Sequence, residues 1–154
     1  MINKELFNAA FDENYKLITK LIENNNDINA IDEISGESLL FKMISFNNER
    51  VATFLVNMGA NVNNYNNSGK TILMEAAARG LSNKFIKLLI SKGANIEKVD
   101  DFGGNVLWWT ENKSTMEYFK SLGIKLKKKI SYIQSNNDFF EDYFITREPL
   151  NILR

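Results

Sequence analysis

Two unrelated markers recur along this chain at almost the same interval. "SGESLLFKMISFNN" begins at Ser35, "SGKTILMEAAARG" at Ser68 and "FGGNVLWWTENK" at Phe102, so Gly36, Gly69 and Gly103 are almost evenly spaced. Independently, "NNDIN" from Asn25, "GANVN" from Gly59 and "GANIE" from Gly93 return at a matching interval. A period of about 33 residues marks stacked units, each burying its apolar face on the next, so it changes the meaning of every local motif.

Each unit reads as two helices and a turn. Ser38, Thr71 and Asn105 stand just ahead of an apolar stretch, where a side-chain oxygen can accept a bond from a free backbone N–H and open a first helix. In the second helix Val51, Phe54 and Leu55, then Phe85, Leu88 and Leu89, have the i, i+3, i+4 spacing of one buried face. Asn25, Gly59, Gly93 and Gly123 stop that helix, because the left-handed turn after a helix favours Gly and tolerates Asn. Linking stretches such as "NVNNYNNSGK" are rich in turn formers. The three consecutive alanines from Ala76 suggest closely packed helices, with Ala76 and Ala77 inward and Ala78 outward.

On these residues the chain resembles the ankyrin-repeat family. "TILMEAA" from Thr71 matches that family's T-P-L-H-x-A signature, with Ile72 in the proline position and Met74 in the histidine position. "GANVN" and "GANIE" are similar to its closing segment. Met43 and Ile44, and then Thr110 and Glu111, replace the alanine pair in the flanking units. The resemblance implies an all-α solenoid of helix-turn-helix units joined by β-hairpin-like loops. Its units are expected at 1–31, 32–64, 65–98 and 99–128, the last shortened. Residues 129–154 lie outside the repeat. There "DFFEDYF" gathers Phe139, Phe140, Tyr143 and Phe144 on one helical face, so a C-terminal helix that caps the last repeat is expected. A free aromatic partner-binding peptide is the alternative. "STMEYFKSLG" spaces Ser114 and Glu117 as a capping box.

Composition removes several function classes. With no Cys and no His, the usual nucleophile systems and zinc ligand sets are missing, and disulfides are excluded. Carboxylates such as Asp100 and Asp101 fall in no catalytic motif; Asp100 stands where the family carries a hairpin-bracing Asp. Asp32 and Glu33 lack further metal ligands. No cofactor is expected, and the chain reads as non-enzymatic. Nineteen basic residues balance nineteen acidic ones, but unevenly: residues 1–64 hold five Lys/Arg against nine Asp/Glu, and residues 65–129 twelve against six. Charges break up the start, so no signal-peptide core is present, and no apolar run reaches membrane-span length. A cytoplasmic monomer is expected.

The resemblance further implies binding of another protein through the hairpin tips and the concave face of the inner helices. Carried over residue by residue, the tips include Ile34, Lys70 and Phe102, and the concave positions include Lys42, Phe46, Glu75, Arg79, Trp109 and Lys113. Phe46, Phe102 and Trp109 are aromatic where the repeat turns to solvent, and interface energy concentrates in Trp, Tyr and Arg, so Trp109 with Arg79 is the first candidate contact centre. Trp109 packed beneath the C-terminal segment is the competing reading, and Trp108 is expected in the core. As a single small domain, the chain is expected to act by occupying its partner, as an inhibitor, an immunity or antitoxin-like factor, or an adaptor. The alternative is nucleic-acid association through the basic run Lys125–Lys129.

Overall fold

The computed structural model describes residues 1–127. They form α1 Lys4–Phe11, α2 Tyr15–Glu23, α3 Leu39–Ser45, α4 Glu49–Asn57, α5 Ile72–Ala78, α6 Asn83–Ser91, α7 Val106–Trp109 and α8 Lys113–Ser121. Odd-numbered helices pack in a row, α1 on α3, α3 on α5 and α5 on α7, while the even-numbered ones lie behind them, α4 on α6. The result is an all-α solenoid. Among the described residues the only β pairing is isolated, at Ile31 with Ser38 and Tyr65 with Thr71, the bases of two hairpins.

Short polar side chains set the helix starts. Ser38 Oγ accepts from Phe41 N and Thr71 Oγ1 from Met74 N, as the spacing predicts. Asn14, Asn48, Ser82 and Asn112 do the same for the four outer helices. Those helices then stop where Asn25, Gly59, Gly93 and Gly123 turn with positive φ. Glu13 and Asn47, at φ 55° and 59°, turn the chain between inner and outer helices in the first two units.

The alanine run lies at the crowded centre of the array. Helix α5 touches α3, α6 and α7 at once, and every residue from Ile72 to Ala77 is buried, while Ala78 is half-buried. A core of Phe41, Leu55, Phe85, Leu89 and Phe119 runs through the units. At the end of the array the sequence reading needs three corrections. Asn105 opens α7 without a capping bond; its Nδ2 donates instead to Lys125 O at 2.6 Å, tying the unit's first helix to its end. Helix α8 is capped by Asn112, accepting from Thr115 N, and not by Ser114. Trp108 is half-buried and not in the core, its indole lying against Gly104, where an added Cβ would meet it at 3.2 Å. The expected capping helix over 129–154 lies outside the described residues.

Candidate protein-binding surface

The hairpins are built by one device used three times. Asp32, Asn66 and Asp100 recur at the repeat interval, and each turns Oδ1 onto two backbone N–H groups of its own tip: Ile34 and Ser35, Ser68 and Lys70, Phe102 and Gly104. These bonds hold the Asp32 carboxyl below the usual carboxylate range, with Ser35 N–H the largest cause, Ile34 N–H next, and Lys42 assisting. Successive hairpins are then tied edge to edge. Asn67 N donates to Ser35 O at 2.9 Å, and Asp101 N to Ser68 O at 3.1 Å. Gly36 and Gly69 sit at the crossings with φ of 73° and 71°, where a Cβ would run into the side chains of Asn67 and Asp101. Asparagines extend the lacing at the hairpin bases, Asn29 Oδ1 accepting from Asn61 N and Asn63 Oδ1 from Asn95 N, each at 2.8 Å.

What this scaffold presents is a column of exposed apolar side chains. Ile31, Tyr65 and Val99 stand immediately before Asp32, Asn66 and Asp100, so they occupy the same place on three successive hairpins, and all three are exposed. Lys98 Nζ lies 4.3 Å above the Tyr65 ring. Phe102 and Ile34 add apolar tips, Ile34 projecting farthest because its hairpin is longer than the others between Asp32 and Gly36. The sequence reading passed over the column. The signal was available in the regular return of an apolar residue just ahead of the bracing Asp or Asn.

On the inner helices the expected residues divide. Phe46 is exposed at the end of α3. Glu75, expected at the concave surface, is instead only 4% exposed. It is the centre of a charge network: Lys70 Nζ approaches Oε2 at 2.5 Å, Arg79 Nε donates to Oε1 at 2.7 Å, and Ser45 Oγ donates to Oε1 at 3.0 Å from the preceding unit. Burial pushes the Glu75 carboxyl up, but the bonds from Lys70, Arg79 and Ser45 outweigh it and hold the group below the usual range. Lys70 also stands 3.8 Å over the Trp109 ring, and Trp109 Nε1 donates to Asp100 Oδ2 at 2.9 Å. Trp109 is half-buried and packs on the core, so it belongs to this bonded chain as well as to the surface. Arg79 and Trp109, the expected contact centre, are therefore linked through Glu75 and Lys70. Lys42 is held between Asp32 and Glu37, 3.4 Å from each.

Lys113 is not on an inner helix. Helix α7 ends early, where Thr110 turns its hydroxyl back onto Val106 O and Asn112 caps the next helix, which leaves Lys113 exposed as the first residue of α8. Phe7 and Phe11 went unnoticed in the sequence. They meet Phe46 edge-on, at ring distances of 6.3 and 5.7 Å. Aligning the turn residues Glu13 and Asn47 would have placed Phe11 beside the α3 terminus. Lys125 and Lys127 are exposed, and Lys128 and Lys129 lie outside the described residues. No group of carboxylates among the described residues is arranged to hold a metal ion, and no helix there is long and apolar enough to cross a membrane.

Comparison with known proteins agrees with this geometry. A family model for ankyrin repeats, in three copies, matches residues 6–100. The chain is 37% identical over 87 residues to Rabankyrin-5 of Mus musculus and 38% identical over 87 residues to that of Homo sapiens, in each case over 56% of this chain and 7% of the relative. It is 34% identical over 74 residues to transient receptor potential cation channel subfamily A member 1 of Homo sapiens, over 48% of this chain and 6% of that protein. This chain therefore spans less than a tenth of the curated relatives it matches. Among solved structures, the ankyrin repeat domain of Bcl-3, a member of the IkappaB protein family, aligns with a TM-score of 0.69 at 27% identity, covering 75% of this chain and 50% of that one.

Proposed function

Because this chain belongs to the ankyrin-repeat family, whose repeats generally mediate contacts between proteins, we propose that it binds a partner protein without catalysis, through the hairpin edge and the inner-helix face. The observation that carries this reading is the repetition of Ile31, Tyr65 and Val99. One exposed apolar side chain is ordinary, whereas three at one hairpin position, beside the exposed Phe102, form the kind of surface that protein contacts bury. Lys70, Arg79 and Trp109 enter as a pre-ordered polar margin, because their N–H donors are already oriented by Glu75 and Asp100. Phe46 supplies a further aromatic contact. In this reading the protein acts by occupying its partner, as an inhibitor, antitoxin-like factor or adaptor does.

The test compares the tagged protein with its Tyr65→Ala, Phe102→Ala variant in extract of the native cell. A partner retained by the parent and lost by the variant, with unchanged helical circular dichroism in both, is the expected result. Equal retention by the two, or no retention by either, would sink the reading. Each aromatic removed from the contact is expected to weaken it by about 1–2 kcal/mol.

A further inference from the structure

Away from the hairpin edge, three rings form a second apolar zone. Phe7 and Phe11, one helical turn apart on α1, stack with ring centres 6.3 Å apart, while Phe46, at the end of α3, closes on both edge-to-face. The cluster thus bridges the first two units at their inner helices. It is far from buried: Phe11 and Phe46 remain 57% and 54% exposed. Holding three phenyl rings together in water fixes a wide apolar patch at little further entropic cost to a ligand.

Two exposed carboxylates stand at the edge of the patch, with Arg50 at the start of α4 in electrostatic reach of Tyr15 beside them. Asp12 follows Phe11 directly, is exposed, and its carboxylate has no side-chain partner among the described residues. Glu13 is exposed next to it, and among the described residues its carboxylate accepts only from the neutral Asn48 Nδ2 and Tyr15 hydroxyl. Cations on the adjoining inner helices are already engaged, Lys42 by Asp32 and Glu37 and Arg79 by Glu75. Lys4 lies at the opposite end of α1, followed directly by Glu5.

We propose that the Phe7, Phe11 and Phe46 cluster anchors a segment of the partner protein in which an aromatic or aliphatic side chain is flanked by lysines or arginines that face Asp12 and Glu13. This rests on the protein-binding reading above and adds the chemistry of what is bound. The chain's own C-terminal segment, residues 128–154, carries four Asp/Glu and four Lys/Arg, so it brings no excess of basic charge to an acidic rim.

The test selects a displayed library of random peptides on the full-length protein and measures recovered peptides by fluorescence polarisation. The expected peptides carry a large apolar residue between basic ones. They should bind the Phe11→Ala, Phe46→Ala variant about tenfold or more weakly. They should bind the Asp12→Asn, Glu13→Gln variant about threefold or more weakly, and lose affinity as salt rises from about 50 to about 500 mM. Both variants alter exposed side chains, and circular dichroism verifies their fold. Recovered peptides that are acidic, or that ignore both variants while depending on Tyr65 and Phe102, overturn this inference and leave the hairpin reading standing. Recovery of no peptide above an unrelated protein overturns both.

Discussion

Glu75 shows how a side chain expected on a solvent-facing helix surface can become part of the fold. A carboxylate in this position would cost several kcal/mol to bury alone; here Lys70, Arg79 and Ser45 satisfy it from two units. Glu75→Gln should destabilise the protein by about 2 kcal/mol at neutral pH, read by urea unfolding. The pH dependence has a definite sign. The folded protein holds this carboxyl below its ordinary value of 4.5, so its stabilisation is complete above that value and is lost as pH falls through the lower folded one. The gap between parent and Glu75→Gln should therefore narrow steadily below about pH 4.5; a gap constant to pH 3 would contradict the assignment. Trp109 responds to two different changes. Trp109→Ala should cost about 3 kcal/mol, since the ring packs on the core, while Trp109→Phe should cost about 1, for the lost Nε1 bond to Asp100.

At the scale of elements, caps and glycines do different jobs. Ser38→Ala removes one capping oxygen and should cost about 1 kcal/mol. Gly59 and Gly69 both have positive φ, but only one is crowded: nothing lies within 4 Å of a Cβ built on Gly59, whereas one on Gly69 would stand 2.9 Å from Asp101 N. Gly59→Ala should then cost about 1 kcal/mol of backbone strain, and Gly69→Ala distinctly more, because the next hairpin must also move. Equal midpoints for the two variants in thermal unfolding would show that the hairpins are not held edge to edge. The outer-helix starts repeat the lesson that element boundaries follow local polar chemistry. Asn14, Asn48 and Asn112 cap outer helices, a use that the sequence does not separate from a turn, because Asn serves both and only the folded backbone distinguishes them.

Across the whole molecule, stability in a stacked array is the sum of each unit and its interfaces, so position along the stack matters. Helix α5 has helices on both sides and an unbroken buried run from Ile72 to Ala77, whereas α1 packs chiefly on α2 and α3. Native-state hydrogen exchange should find the slowest amides in α5 and α6 and markedly faster ones in α1, α7 and α8. Uniform protection along the array would mean that it unfolds as one unit. Charge is also a whole-molecule property, and residues 1–64, which carry the aromatic cluster, hold nine Asp/Glu against five Lys/Arg.

The repeat period, the two helices per unit and the glycine stops were determined by the sequence alone, because each is written in residues within one unit and acts on the backbone beside it. Which side chains reach solvent was decided by the tertiary structure. Glu75 and Phe46 both read as concave positions, yet Lys70 and Arg79 draw the first under cover while the second meets two rings from another unit. Exposure in a solenoid depends on what the neighbouring unit places opposite, and no residue carries that information by itself.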